Sequence, residues 1–331
     1  MKGKSLKIKC KKPYGVIVCS EARKYAQHII NGVKKTLIVS DETVFRLYGN
    51  GLKKLIQYSG AEVFTFIYPS GENGKTKYVL DKLLILMTEL NLTKDDCLFA
   101  FGGQTVASLT SFACAVFKGG IPFVYMPTTL LGMINPLSDG RSGVDFLGKR
   151  DLLKAENYPI AVLCDTDYLV SLPVQYLQDG IAEIMRRAMI GDGKLLEDME
   201  NQSAEFDQMI LSAIKIDQKY GDGRKGRFAL NFASVAEKLV GLKVSYGKLT
   251  AFGMVTAFET AMSLNKTKES EERVIKLLQK YSISYDIGIH NKNLWQTILD
   301  SGKQKHTFIL PKSFGSCRVV KLSVEKIKET F

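Results

Sequence analysis

Several things are scarce in this sequence, and each scarcity excludes something. No apolar run approaches the roughly eighteen residues needed to cross a bilayer, so a membrane span is not expected. The six cysteines (Cys10, Cys19, Cys97, Cys114, Cys164, Cys317) form no Cys-x-x-Cys pair. Cys97, Cys114 and Cys164 fall in apolar runs, where cysteine acts as a small hydrophobe, and a reducing cytoplasm is the expected setting. There is no internal repeat and no low-complexity linker. The basic start, MKGKSLKIKCKKPYGVIVCS, has only a short apolar part and no small-residue cleavage pattern, so it reads as a first strand rather than a secretion signal. Histidine is scarcer still: His28, His290 and His306 are the only three in 331 residues.

The composition is that of a soluble globular protein, 45% hydrophobic and 24% charged, long enough for two domains. Net charge is +12, but the lysines are spread along helical segments and the first dozen residues. A surface suited to small anionic substrates fits that spread better than nucleic acid does.

The first half alternates strand and helix. Apolar runs at Tyr14–Cys19, Thr36–Val39, Glu62–Ile67, Cys97–Phe101 and Pro122–Met126 are separated by amphipathic stretches such as Lys77–Leu90. That alternation predicts a mostly parallel sheet with helices on both faces. Cys97–Phe101 ends in Gly102-Gly103, and Pro122–Met126 delivers Pro127-Thr128-Thr129. Two such strand ends side by side describe the crevice where an open α/β sheet holds a nucleotide or phosphorylated ligand. From about Asp151 the pattern turns helical, at Val174–Ile190, Glu205–Tyr220, Phe228–Val240, Leu249–Leu264 and Ser270–Tyr281. A strand pair, Thr307–Leu310 and Ser316–Leu322, precedes a last helix. The expectation is an N-terminal α/β nucleotide-binding-type domain (1–150), Rossmann-like, and a mainly helical C-terminal domain (151–331), with the site in the cleft between them.

The order of short motifs resembles the 3-dehydroquinate synthases and related sugar-phosphate cyclases. The matching features run from about Asp41 to Pro311: Pro69-Ser70-Gly71-Glu72 with Lys75, Gly102-Gly103, Pro127-Thr128-Thr129-Leu130-Leu131, Gly140-Arg141-Ser142-Gly143-Val144, Gly148-Lys149, Asp165-Thr166-Asp167, Gly180-Ile181-Ala182-Glu183, Arg227 with Leu230-Asn231-Phe232, and Gly253-Met254-Val255. The resemblance implies a cytoplasmic homodimer of the shikimate pathway, a carbon–oxygen lyase. Bound NAD and a divalent metal, usually zinc, there convert a seven-carbon sugar phosphate into a carbocycle. It implies cofactor contacts at Asp41, Glu72, Lys75, Gly102, Gly103, Thr128 and Thr129. It places Lys149, Lys215, Arg227 and Asn231 around a small phosphorylated or carboxylated ligand, where lysine and arginine suit phosphate.

The departures are concentrated in the chemistry. The metal would need one glutamate and two histidines; the glutamate position is Glu183, but the histidine positions are Ser234 and Tyr246, a poor set for zinc. A further family histidine falls on Lys238. The third glycine of the nucleotide loop is Gln104, the following Gly-Asp is Ala107-Ser108, a loop aspartate is Asn135, and the lysine after the metal glutamate is Arg186. The reading is a member of the family that keeps the architecture and has lost or much altered the metal-dependent step. One alternative is a working synthase or cyclase with a rearranged site. Another is a non-catalytic ligand-binding or scaffold subunit.

Overall fold

The computed structural model describes residues 3–221, 223–241 and 244–331. The chain forms two compact units, one through Leu172 and one from Pro173 to Phe331. The boundary thus lies beyond the expected 150/151, because the chain returns to the first sheet after that point.

That return is strand β9 (Ala161–Asp165). The N-terminal unit holds β1 (Lys4–Ile8), β2 (Tyr14–Cys19), β3 (Lys35–Asp41), β4 (Glu62–Tyr68), β5 (Cys97–Gly102), β6 (Phe123–Pro127) and β9 (Ala161–Asp165) in one sheet, ordered β1-β2-β9-β6-β5-β3-β4. Only the β1–β2 pair is antiparallel; β2–β9, β9–β6, β6–β5, β5–β3 and β3–β4 are parallel. Every residue of β5, β6 and β9 is buried, which is why those strands read as continuous apolar runs rather than alternating ones. On one face Leu52 and Ile56 of the helix Asn50–Gln57 cover Ile38, Phe99, Phe101, Val124 and Met126. The helices Lys77–Glu89 and Gln104–Val116 bring a second set of buried residues, including Leu83, Met87, Val106 and Leu109.

From β3 the chain crosses outward to β4 at the sheet edge, and from β5 it crosses the other way to β6. Right-handed crossovers in opposite directions put their helices on opposite faces and open a crevice between β3 and β5. A two-stranded hairpin, β7 (Arg141–Phe146) with β8 (Lys149–Glu156), was not expected from the sequence. Its second strand, KRDLLKAE, is mostly exposed and carries no apolar alternation to signal it.

The C-terminal unit is helical as expected, with long helices Val174–Gly191, Phe206–Tyr220, Leu230–Val240 and Tyr246–Ser263, and it carries the hairpin β10 (Lys305–Ser313) and β11 (Ser316–Ser323) before the final helix Val324–Thr330. Phe232 stacks on Phe308 at 5.2 Å between ring centroids, fastening helix Leu230–Val240 to β10. Two helix starts differ from expectation by more than one residue. Phe228 is excluded because Ala229 stands at φ 64°, outside helical space, so the helix begins at Leu230. The next helix starts earlier, at Tyr246, because Ser245 caps it by accepting from the Lys248 amide. Tyr246 therefore occupies the first turn. Among the described residues no helix is long and apolar enough to cross a membrane.

Candidate functional site

The crevice of the N-terminal unit is built from adjoining strand ends. Ser40 of β3 pairs with Phe101 of β5, and Gly102 pairs with Pro127 of β6, so Asp41, Gly102-Gly103 and Thr128-Thr129 follow one another across the sheet. Asp41 Oδ1 is occupied structurally. It accepts from the Thr43 and Val44 amides as a helix cap, both at 3.0 Å, and from the Ser70 hydroxyl at 2.9 Å. Its Oδ2 has no hydrogen bond among the described residues, and it lies 3.4 Å from where a Cβ on Gly102 would stand. A carboxylate oxygen left open at the switch point is the group that receives a ribose hydroxyl in dinucleotide-binding sheets.

The other expected contacts have mixed assignments. Gly102 is required by packing, since a Cβ there would meet Val106 Cγ2 at 2.5 Å; at Gly103 the nearest atom, Thr129 Cγ2, is at an ordinary 3.5 Å. Thr129 caps the short helix Leu130–Ile134 by accepting from the Gly132 amide, and Thr128 is buried with its amide on the Gly102 carbonyl. The Glu72 side chain lies outside the described residues. Lys75 does not stand free: its ammonium is 2.6 Å from Asp151 and 3.6 Å from Asp145.

Beside this crevice is a cavity of about 440 Å³, within the range of small-ligand sites. Gln104, Thr105 and Ser108 from the helix Gln104–Val116 form one wall, and Arg141, Ser142, Gly143, Arg150, Asp151 and Lys154 from the hairpin form the other, with Lys75 completing the lining. Four cations face one carboxylate there. Ser108 fixes the two walls together: its hydroxyl donates to the Gly143 carbonyl at 2.8 Å and accepts from the Gly143 amide at 2.9 Å. The sequence drew attention to the motif around Arg141, but Arg150 and Lys154 were missed. Their signal was the basic pattern along β8, readable only once that segment is known to be a strand.

Lys149, an expected pocket residue, is exposed near the hairpin turn and does not line this cavity. In the C-terminal unit Lys215 and Arg227 are exposed, while Asn231 donates to the Thr307 carbonyl at 3.0 Å. Among the described residues no hydrogen bond or ion pair joins Lys215, Arg227 and Asn231 to one another.

The expected metal position is the most informative part of that unit. Glu183, 2% exposed, lies on the buried face of helix Val174–Gly191. Arg186 grips it with two parallel bonds, Nε to Oε2 and Nη2 to Oε1, each 2.7 Å. Arg187 Nε donates to Oε1 at 2.8 Å, and the Tyr246 hydroxyl donates to Oε2 at 2.9 Å. Arg186 Nη1 also donates to the carbonyls of Gly226 at 2.6 Å and Phe228 at 3.2 Å. Burial alone would raise the Glu183 pKa, but the charges and hydrogen bonds of Arg186 and then Arg187 outweigh it and hold the group at about 2. Burial, with Glu183 beside it, pushes the Tyr246 phenol above its usual range, so it stays protonated and donating.

This donor set does not fit a divalent metal. Both Glu183 oxygens already accept from guanidinium groups, the Ser234 hydroxyl donates to the Asn231 carbonyl, and no cluster of three metal-ligating side chains exists among the described residues. Sequence reasoning named Glu183 and Tyr246 but missed their partnership, and it missed Arg187. The spacing was available: residues three and four after Glu183 share its helix face, and both are arginine.

Nearby, Asp179 Oδ1 accepts from the Gly247 amide at 2.6 Å, holding the start of helix Tyr246–Ser263 against helix Val174–Gly191. Burial raises the Asp179 pKa despite that bond. A Cβ on Gly247 would meet Asp179 Oδ1 at 2.7 Å, so glycine permits this approach and thereby sets Tyr246 beside Glu183.

Residues 65–179 match the family model described as 3-dehydroquinate synthase N-terminal. A 3-dehydroquinate synthase of Nitratiruptor sp. is 32% identical over 300 residues, covering 85% of each chain. That of Nostoc punctiforme is 32% identical over 268 residues, covering 75% of this chain and 74% of the relative. Among solved structures, 2-deoxy-scyllo-inosose synthase in complex with carbaglucose-6-phosphate, NAD+ and Co2+ superposes with a TM-score of 0.85 at 16% identity, covering 98% of both chains. The 2-epi-5-epi-valiolone synthase of Streptomyces hygroscopicus with NAD+ and Zn2+ gives 0.80 at 19% identity, over 96% of this chain and 95% of that one. These structural likenesses establish the fold, and the sequence relatives establish the lineage: the chain belongs to the 3-dehydroquinate synthase family.

Proposed function

We propose that this protein binds a small phosphorylated or carboxylated ligand in its cation-lined cavity and has lost the metal-dependent cyclisation of its family. The observation that carries this reading is the closure of Glu183 by Arg186, Arg187 and Tyr246. A carboxylate whose two oxygens accept four charge-assisted or hydroxyl hydrogen bonds has no lone pair directed at a metal, and two buried guanidinium groups repel one. Loss of one part of a cooperating catalytic unit can forfeit most of its activity.

NAD fits the N-terminal unit better than a metal fits the C-terminal one. Asp41 Oδ2 would receive a ribose hydroxyl, and the backbone at Gly103, free of close contacts, would face the diphosphate. When bound, NAD supplies a hydride acceptor for an alcohol. The chain's own contribution is binding: Arg141, Arg150 and Lys154 neutralise an anion, and the Ser108–Gly143 pair keeps the cavity wall in place.

The test combines binding with turnover. Inorganic phosphate and NAD, each in large excess, are expected to raise the melting temperature in proportion to the logarithm of their excess over Kd. The double variant R141S/K154S is expected to lose most of the phosphate response. No conversion of the seven-carbon sugar phosphate is expected, with or without added zinc or cobalt. Metal-dependent conversion by the purified chain overturns the reading, as does an unchanged melting curve with phosphate at low salt.

A further inference from the structure

The Glu183 centre fails to fit a metal in a specific way, because a cation is already there. We propose that the Arg186 guanidinium is the resident cation of this centre, encoded in the chain where the family resemblance expects a divalent ion. The proposal rests on the reading that no metal is held at Glu183, and it adds what replaces the metal.

Geometry carries it first. The fork of Arg186 takes one hydrogen bond to each Glu183 oxygen, so the cation faces the carboxylate as a bidentate partner does. A metal bound to that carboxylate would sit about 2 Å from an oxygen, in space the guanidinium nitrogens already close off at 2.7 Å.

Connectivity carries it second. A catalytic metal ties together the segments that donate its ligands. Here Arg186 ties Glu183 to the carbonyls of Gly226 and Phe228, just before the helix that carries Ser234. Tyr246, in the other expected ligand position, reaches the same carboxylate through its hydroxyl. The segments that would converge on an ion thus converge on Glu183 without one.

Charge carries it third. Two guanidinium groups, Arg186 and Arg187, already bond the single buried carboxylate of Glu183, and Arg187 also lies 3.6 Å from the partly exposed Asp217. A divalent cation on the same carboxylate would stand beside two buried guanidinium groups, where like charges are strongly unfavourable.

The experiment uses the full chain and two readouts, melting temperature and bound zinc. R186M and E183Q are each expected to melt about 10 °C below wild type, because each removes one member of the buried bidentate pair and leaves the other without it. E183Q/R186M should melt above either single variant, since both members of the bidentate pair are then neutral. R186K keeps the charge without the fork and is expected between wild type and R186M. Additive losses in the double variant, or R186K no better than R186M, overturn the inference while leaving ligand binding in the N-terminal unit untouched. A single variant that does not fold while the double variant does is the same compensation and supports it; a double variant that fails where R186M folds counts against it. Wild type stripped with EDTA and then dialysed against zinc should neither retain stoichiometric metal nor change its melting. A zinc-dependent rise abolished by E183Q would falsify both this inference and the metal-free reading beneath it.

Discussion

At the scale of single residues, two groups decide most of what the sites can do. Gly102 is needed because its Cβ position is 2.5 Å from Val106 Cγ2, at the end of β5 beside the half-buried Asp41 that ends β3. Gly102→Ala is expected to cost about 1–3 kcal/mol by overpacking against Val106 and, as the strand end shifts, to weaken the proposed NAD binding, checked by urea denaturation and titration calorimetry. Glu183 sets a pH dependence. Its folded pKa of about 2 lies below the ordinary 4.5, so its ion pairs stabilise the fold above the unfolded value and lose that contribution as pH falls from 4.5 through 2. The stability gap between wild type and E183Q should therefore narrow across that window. Thermal melts from pH 7 downward test the point, and a gap that stays constant to pH 2.5 contradicts it.

At the scale of elements, the helix Gln104–Val116 and the β7–β8 hairpin act as one wall because Ser108 both donates to and accepts from Gly143. Ser108→Ala removes both bonds and leaves a buried amide and carbonyl unpaired. A loss of about 1–3 kcal/mol is expected, together with weaker phosphate binding, measured by denaturation and by thermal shift. This wall also marks where sequence reading reached its limit. Five of the six strands joined by parallel pairs, and most of the helices, were legible because buried strands are continuous apolar runs and amphipathic helices repeat their apolar positions; the sixth, β9, was missed because its five residues follow the segment where the pattern was read as turning helical. The β8 segment was not, because KRDLLKAE pairs with β7 through backbone bonds while most of its side chains face outward. Helix starts depended on single residues that periodicity ignores, Ala229 at positive φ and the Ser245 cap. The candidate site was legible in what had been lost, Ser234 and Tyr246 standing for histidines. What had been gained was hidden. That Tyr246 meets Glu183 depends on the close helix approach at Gly247, and such a contact has no signature along the chain.

At the scale of the whole molecule, net charge and the proposed anionic ligand point the same way. A chain with a net charge of +12 attracts anions at long range, and the cavity concentrates four cations where one can be held. Association with the proposed phosphorylated ligand should slow as ionic strength rises, visible in stopped-flow rates with inorganic phosphate or a sugar phosphate between low and physiological salt.

The Arg186–Glu183 pair also changes what the protein's stability depends on. A fold that holds a free ion gains stability with the logarithm of that ion's activity, and so follows the metal supply of its surroundings. A fold whose cation is a side chain carries a constant in place of that variable. Metal starvation, competing chelators and mismetallation by a tighter-binding ion leave such a centre unchanged. The same permanence has a converse: an ion can be released and rebound, whereas this cation can be removed only by mutation or by unfolding the unit around it.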